Sequence, residues 1–389
     1  MIAKNEAASL RACLSSVKGL VSQIVIGDTG STDGTPDIAR EFGATVISVP
    51  WEDHYAKARN AALDRMTTDW VLAMDADEEL DPCAQSLLPE LLGANEISAY
   101  MLIHRLYMRA EKSYSMENLS QPNQIREGRA AKAGSYHDHR VIKLFRRDPR
   151  IYYFGRIHEL IEYRICALGL SFPKADVIVH NYGYLEEEHP EIRAQKNVYY
   201  RKLGQMKLRE EANNPLAWFD QGKLEYESFQ NLDEALACFR RATRLHPPFT
   251  RAWLFTAEIN LALGQPKQAL AALAHTESSQ EATAWRERLR GDIHSHLGQQ
   301  APAKAAYEKA LQLNGPDPLI ESRIGYTEVR LGEVENGLRR LRCCVEMKPA
   351  REDIHQLMLK ALTTAGDLAG AEAEQRRYLT CISGLNRGA

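Results

Sequence analysis

A chain of 389 residues with 44% hydrophobic content is long enough for two domains that each bury an ordinary core. The net charge of −3 gives no overall positive field, which argues against nucleic acid or an anionic membrane as the default partner. Seven scattered cysteines without a CxxC pair argue against a disulfide framework and a zinc site, and they indicate a reducing cytoplasm. No window approaches the ~20 apolar residues of a membrane helix, so we expect a soluble, cytoplasmic protein.

The first 190 residues alternate short β-rich apolar runs with helical stretches. The runs lie at residues 23–26, 44–49, 70–74, 98–103, 141–145 and 176–179, and amphipathic helices are predicted at 7–17 and 56–66. Such alternation is typical of an α/β domain. We place this domain at residues 1–190 and a joining helix at 191–214.

The sequence GDTGSTDGTP at residues 27–36 follows the first apolar run and predicts a strand-to-helix turn. Thr35 is expected to cap the helix, with Pro36 in its first turn. Ligands of open α/β sheets bind beyond the carboxyl ends of the strands, so Asp28 is expected to face a ligand crevice. A plain tight loop is the alternative, because Gly, Ser, Thr and Asp are ordinary turn residues.

The apolar run at 70–74 ends in the acidic sequence DADEE. An extended chain would place Asp75 and Asp77 on one side, where both could face a divalent cation. Adjacent carboxylates repel each other unless a cation or a basic group relieves them, so a metal site is favoured over a solvated acidic loop. The helix at 56–66 could carry Arg59 to the same crevice, where a guanidinium suits nucleotide phosphates.

Four stretches, in this order, resemble the motifs of family 2 glycosyltransferases of the GT-A fold. They are Lys4-Asn5-Glu6, Asp28 with GSTDGT, Ala58-Arg59-Asn60 and Asp75-Ala76-Asp77-Glu78. The resemblance runs to about residue 185. It implies that the loop at 4–6 and Asp28 hold uracil, that Arg59 holds the nucleotide, and that the 75–77 segment holds the ribose and a divalent metal, Mn²⁺ or Mg²⁺. Only three residues precede the first motif, so the first strand is expected to be truncated.

The same resemblance suggests roles for four later residues. Inverting transfer needs a carboxylate that takes a proton from the acceptor, and Glu159 is the candidate base. Pairing of Glu159 with Arg156 or Arg164 is the alternative, and Asp138 is the reserve candidate. His180 is a candidate metal ligand beside Asp77, with Asp75 as a further one. Lys143 stands where the family has an arginine, so a point-charge contact to the donor is expected there.

After residue 200 the strand signals vanish and a repeat appears. Small residues recur every 34 positions, at Ala235, Ala269, Ala303, Gly337 and Ala371. This period resembles tetratricopeptide repeats over most of residues 215–378. The resemblance implies an all-α solenoid of about five helix pairs at 215–389, and such solenoids bind peptides on a concave surface.

Together these features predict an α/β GT-A domain followed by a tetratricopeptide solenoid. The expected function is metal-dependent inverting transfer of a hexose or N-acetylhexosamine from a UDP-sugar to a polypeptide that the repeats recognise. The combination is similar to a bacterial subgroup of repeat-containing glycosyltransferases and to the glycosyltransferases that modify bacteriocin peptides. Transfer to lipopolysaccharide or another surface glycan is the second hypothesis, and a non-catalytic adaptor is the third. No nucleic acid partner is expected, and homo-oligomerisation is left open.

Overall fold

The computed structural model describes residues 1–109, 114–115, 118–119, 121–125, 127–183, 185 and 190–385. The chain divides into two compact units, Met1–Ala212 and Asn213–Ala389. The first is an α/β domain and the second is helical throughout its described residues. The predicted fold class, an α/β domain followed by an all-α repeat domain, is therefore confirmed.

The first unit contains the following elements. Its strands are β1 (Ile2–Ala3), β2 (Val25–Asp28), β3 (Thr45–Ser48), β4 (Trp70–Leu72), β5 (Glu78–Leu80), β6 (Ala99–Met108), β7 (Tyr114–Ser115), β8 (Asn118–Leu119), β9 (Gln121–Pro122), β10 (Ser135–Arg146) and β11 (Lys174–Asn181). Its helices are α1 (Ala7–Ser16), α2 (Thr35–Glu41), α3 (Tyr55–Leu63), α4 (Ala84–Gly93), α5 (Glu162–Ala167) and α6 (Pro190–Glu210), with a short 3₁₀ helix at Arg129–Lys132.

Two larger sheets organise this unit, and β7 and β8 form a separate two-stranded sheet. Strands β1, β2 and β3 form a parallel sheet in that order. The larger sheet has the order β4-β10-β6-β11-β5, and β10 runs antiparallel to both β4 and β6. Asp28 is the last residue of β2, and Asp75 lies three residues after β4 ends at Leu72, so both acidic segments lie at or just beyond the ends of strands.

The larger sheet is packed on both faces. Alternate residues of β6 point to opposite sides, as strand geometry requires. Tyr100 and Leu102 belong to one buried cluster, while Ala99 and Met101 pack in the other. The first part of β6, residues 99–103, is therefore apolar, and its polar side chains begin at His104.

The second unit consists of ten described helices in five consecutive pairs. They are α7 (Pro215–Glu227), α8 (Leu232–Leu245), α9 (Thr250–Ala262), α10 (Pro266–Ala274), α11 (Thr283–His296), α12 (Gln300–Asn314), α13 (Pro318–Arg330), α14 (Val334–Met347), α15 (Glu352–Thr364) and α16 (Leu368–Leu385). Asn214 and Asp317 cap α7 and α13. Each is followed by a proline, whose ring fixes φ at a value that suits the first turn of a helix.

The small residues at the 34-residue spacing lie where paired helices touch. Ala235, Ala269 and Ala303 are fully buried. A Cβ at Gly337 would lie 2.4 Å from the backbone oxygen of Gly325, so these two helices approach too closely for any larger residue. Helix contact thus explains the repeat period. Within the described residues, no helix is both long and apolar enough to span a membrane.

Candidate active site

The loop that follows β1 is tied to the loop that follows β2. The backbone of Asn5 is left-handed, with a φ of 58°, and its amide donates to the hydroxyl of Ser31 at 3.0 Å. The side-chain oxygen of Asn5 accepts from the amide of Thr32 at 2.8 Å. Lys4 beside it is exposed. Two of the predicted nucleotide-binding segments are therefore held together.

Asp28 ends β2, and its carboxylate accepts from the backbone amide of Ser31 at 3.1 Å. This bond shapes the turn, as the plain-loop alternative also requires. The side chain of Asp28 is half-buried at the end of its strand. Asp28 therefore lies at the carboxyl end of its strand, as the sequence predicted.

The predicted cap of α2 is wrong, because Thr35 is the first residue of the helix and its N-cap residue, Gly34, has no side chain to cap it. The carboxylate of Asp33, one residue earlier, accepts from the amide of Thr35 at 3.0 Å. The hydroxyl of Thr35 instead accepts from the amide of Glu6 at 2.7 Å. Glu6 also accepts from the hydroxyl of Ser9 through its carboxylate at 3.0 Å. These bonds anchor the start of α1 to the start of α2.

Arg59 joins two of the predicted acidic residues. Its Nη2 donates to Asp75 Oδ1 at 2.7 Å, and its Nε donates to Glu159 Oε1 at 2.5 Å. Burial opposes the charge of Asp75, but Arg59 and then Lys143 outweigh burial and hold the pKa of Asp75 below its ordinary value. Helix α3 therefore brings Arg59 to the carboxylates, as the sequence predicted. The alternative expected Glu159 to pair with Arg156 or Arg164. In the structure Glu159 pairs with Arg59 instead.

A buried ionic chain continues from Asp75. The Lys143 ammonium lies 3.9 Å from Asp75 Oδ2 and 2.7 Å from Glu78 Oε2. Glu78 is fully buried, and its other oxygen lies 2.7 Å from His104 Nε2. Nδ1 of His104 then lies 3.1 Å from Nε2 of His139. Lys143 thus lies beside the acidic segment, but its nearest partner is a protein carboxylate.

Sequence reasoning missed Glu78, His104 and His139 as members of this chain. Glu78 was visible in the DADEE segment, but its burial depends on the pairing of β5 with β11. His104 and His139 are opposite each other on β6 and β10. Their residue types are informative only once the strand register is known.

Asp77 lies beside the last residues of β11. Its Oδ2 accepts from the side-chain amide of Asn181 at 3.3 Å. A Cβ at Gly183 would lie 2.4 Å from that oxygen, so a larger residue there would displace the Asp77 carboxylate. Burial, followed by the charges of Asp75 and Glu78, raises the pKa of Asp77 to about 7. Ala76, between the two aspartates, is buried in the core.

His180 and Asp138 are held by other partners. His180 Nε2 lies 2.9 Å from Asp81 Oδ2, and its Nδ1 lies 3.0 Å from the hydroxyl of Tyr107. Asn181, the next residue, takes the place beside Asp77 that was expected for His180. Asp138 forms a two-pronged ion pair with Arg105, at 2.7 and 2.8 Å. Strand alternation puts Asp138 on the face of β10 opposite His139.

Metal binding can be tested against this geometry. Among the described residues, no three His, Cys, Asp or Glu side chains are arranged to hold a metal ion. Mg²⁺ is commonly bound by one or two carboxylates together with substrate phosphates and waters. Asp77 fits such a role, because burial and then the charges of Asp75 and Glu78 raise its pKa, and a cation would offset this cost of the charged carboxylate. Asp75 is already bound to Arg59.

Comparison with known proteins follows the same division of the chain. Residues 1–154 match the model for glycosyl transferase family 2, and residues 251–329 match a tetratricopeptide repeat-like domain. A TPR repeat-containing protein of Synechococcus elongatus is 32% identical over 190 residues, covering 47% of this chain and 41% of that protein.

Two named glycosyltransferases are also similar. The lipopolysaccharide core biosynthesis glycosyltransferase LpsC of Rhizobium meliloti is 34% identical over 132 residues, covering 32% of this chain and 48% of LpsC. The SPbeta prophage-derived glycosyltransferase SunS of Bacillus subtilis is 22% identical over 251 residues, covering 64% of this chain and 53% of SunS. The chain therefore spans about half or less of these relatives. It carries a family 2 glycosyltransferase domain followed by a tetratricopeptide repeat-like domain.

Proposed function

We propose that this chain is a metal-dependent inverting glycosyltransferase that moves a hexose or N-acetylhexosamine from a UDP-sugar to a polypeptide. The observation that carries the proposal is the convergence of Glu159, Arg59 and Asp75 in one network beside Asp77. The family match supports the reaction class.

The nucleotide is assigned to the strand ends of the smaller sheet. Asp28 would accept a hydrogen bond from N3–H of uracil, which the unprotonated N3 of cytosine cannot donate. The loop at 4–6 would close over the base. Arg59 would offer its remaining donor atoms to the diphosphate, while Asp75 keeps the guanidinium oriented.

Glu159 is proposed to take the proton from the acceptor group as the new glycosidic bond forms. Its side chain is 10% exposed, and Arg59 fixes the direction of one carboxylate oxygen. A base held in this way needs little reorganisation when the acceptor arrives. The bond from the sugar to the diphosphate breaks at the same time, so that the negative charge passes from Glu159 to the departing UDP.

Asp77 is the residue proposed to hold Mn²⁺ or Mg²⁺, with donor phosphates completing the ligand set. When bound, a divalent ion would neutralise the charge that develops on the leaving diphosphate. Asn181 and Gly183 would support this role by fixing the position of the carboxylate. His180 could join this ligand set only by giving up a present partner, because Asp81 and Tyr107 hold both of its ring nitrogens.

The repeats are proposed to select the polypeptide. The second unit contains a cleft of about 720 Å³ with a charged lining that includes Lys304, Glu321 and Arg339. The side chain of Met347 also lines this cleft and is 55% exposed. An exposed apolar side chain among charges of both signs suits a peptide segment. Seven free thiols support the cytoplasm as the setting.

A second candidate function is sugar transfer to a glycolipid. The similarity to LpsC, a lipopolysaccharide core biosynthesis glycosyltransferase, favours it. The two functions share the donor site and differ only in the acceptor. An assay that offers purified lipopolysaccharide core and polypeptide pools side by side, with one radiolabelled donor, separates them.

The proposed reaction is tested with a panel of nucleotide sugars, by measuring donor hydrolysis with and without EDTA. We expect a UDP-sugar to be consumed, EDTA to abolish turnover, and Mn²⁺ or Mg²⁺ to restore it. Asp77→Ala should lose at least 100-fold in turnover and keep its circular dichroism spectrum. Asp37→Ala is the matched control, because that aspartate is exposed on α2. Full activity in EDTA would refute metal dependence.

A further inference from the structure

Two loops deliver Arg59 and Glu159 to the network. The first, residues 51–54, leads directly into α3, and the second, residues 155–158, ends immediately before Glu159. They are joined to each other, because the amide of Tyr55 donates to the backbone oxygen of Arg156 at 2.9 Å. The guanidinium of Arg156 also donates to the backbone oxygen of Asp53 at 2.7 Å.

Both loops contain backbone that is unfavourable by itself. Asp53 has a φ of 55° and His158 a φ of 51°. This left-handed region is uncommon for residues other than glycine, and each such residue costs roughly 1 kcal/mol or more. Contacts from elsewhere in the unit must therefore hold these loops in place.

Helix α6 supplies the contacts to the first loop. The hydroxyl of Tyr199 donates to Asp53 Oδ1 at 2.5 Å and accepts from the indole of Trp51 at 2.7 Å. The ammonium of Lys202 lies 2.9 Å from Asp53 Oδ2. The hydrogen bonds from Tyr199 and then Lys202 lower the pKa of Asp53. The carboxylate is therefore charged, which strengthens both bonds.

The same helix also holds the second loop. The buried ammonium of Lys207 donates to the backbone oxygen of Ile157 at 2.9 Å. Glu210, the last residue of α6, forms an ion pair with Arg156, and Arg156 is itself buried. One helix thus fixes both loops through side chains that are far away in sequence.

We infer that α6 is a positioning element for the transfer reaction: through Tyr199, Lys207 and the Arg156–Glu210 pair it sets where Arg59 and Glu159 stand. The inference rests on the proposed function, because it assigns these residues to the same site. None of the α6 side chains needs to touch the donor or the acceptor. They act by fixing the loops from which the two functional side chains project.

The test uses the full chain with Tyr199→Phe, which removes one hydroxyl, and with Lys207→Met, which removes the bond to Ile157. Lys207→Arg keeps a donor and is the rescue variant. Val198→Ala is the matched control, because Val198 lies on the same helix and is 60% exposed. Two readouts are measured: amide hydrogen exchange, with the amide of Tyr55 as the main probe, and kcat and KM for the donor.

We expect faster exchange at the two loops in Tyr199→Phe and Lys207→Met, with no change at the amide of Thr29 in the nucleotide loop. The kcat should fall roughly 10- to 100-fold, since small misplacements of reacting groups have effects of this size. KM should stay within about threefold. Lys207→Arg should recover most of the kcat.

Three results would overturn the inference: unchanged exchange at both loops, exchange that rises evenly across the first unit, or looser loops with an unchanged kcat. An even rise in exchange would mean that α6 stabilises the whole unit without positioning these loops. Looser loops with an unchanged kcat would mean that α6 has no effect on the reaction. If the wild-type chain turns over no nucleotide sugar, the proposed function fails separately. The loop-specific exchange pattern then decides by itself whether α6 holds the loops.

Discussion

Glu159 and Asp138 are two carboxylates with different surroundings, and a pair of single substitutions separates their roles. Glu159→Gln keeps an oxygen that can accept from Arg59 but removes the basic group, so transfer should fall at least ~100-fold. Asp138→Asn should retain transfer within severalfold, because Arg105 already occupies that carboxylate. Initial rates with a UDP-sugar and acceptor test this, with circular dichroism as the folding control. The opposite ranking would move the base to Asp138.

Asp28 should decide which nucleotide binds. Calorimetry should rank UDP above CDP and GDP, and Asp28→Ala should weaken UDP roughly 10- to 100-fold, the range for one charge-assisted hydrogen bond. Asp28→Asn retains an acceptor for the turn bond to Ser31 and should lose less. Tightest binding of GDP, or an unchanged UDP affinity in Asp28→Ala, would contradict the assignment.

Sequence reasoning predicted that the helix after residue 56 could carry Arg59 to the acidic segment, and Arg59 does contact Asp75 there. It could not predict His104 or His139, whose meeting depends on the register of β6 and β10. It also placed His180 beside Asp77. On a strand a shift of one residue turns a side chain to the opposite face, and Asn181 takes that place instead.

At the scale of elements, the apolar runs predicted which segments form strands, but they did not predict where each strand begins and ends. The run at 141–145 marked β10, but the strand begins at Ser135, where His137, Asp138 and His139 interrupt the apolar pattern. Polar side chains are tolerated there because neighbours satisfy them, as Arg105 satisfies Asp138. β5 escaped notice for a related reason: its first residue is the buried Glu78, and Lys143 neutralises it.

The contact between α13 and α14 gives a prediction for stability. Gly337→Ala would place a Cβ 2.4 Å from the backbone oxygen of Gly325, which has no flexible side chain to move aside. We expect a loss of about 1–3 kcal/mol, the usual range for overpacking, seen as a lower melting temperature by circular dichroism. Gly93→Ala is the control, because nothing lies within 4 Å of its added Cβ. Equal melting temperatures for the two variants would contradict close packing at this contact.

For the whole molecule, composition and periodicity predicted the order of the two folds. Short apolar runs typical of strands end near residue 200, and a helical pattern that repeats every 34 residues follows. The place of α6 was not predictable in this way. Its sequence is helical and charged, like the repeats that follow. Its contacts with Asp53 and Arg156 assign it to the first unit, and they depend on side chains about 50 to 150 residues away in sequence.

The division of labour between the two units is testable with a chain that ends at Ala212, the end of the first compact unit. It keeps α6, and with it the loops that carry Arg59 and Glu159. If the repeats supply binding energy from remote parts of a polypeptide acceptor, this truncation should retain slow UDP-sugar hydrolysis within about fivefold and lose transfer to the polypeptide. Hydrolysis needs only the metal, the nucleotide contacts and water.

Point variants keep this test meaningful if the truncated chain does not fold. Met347→Asp and Arg339→Glu alter the cleft of the second unit without removing a helix, and both side chains line it. We expect KM for the polypeptide to rise at least ~10-fold, equivalent to about 1.4 kcal/mol of binding, while hydrolysis is unchanged. Leu379→Ser, exposed on α16, is the control. Equal losses of hydrolysis and transfer would mean that the repeats have only a structural role. Undiminished transfer in both variants would mean that this cleft does not bind the acceptor.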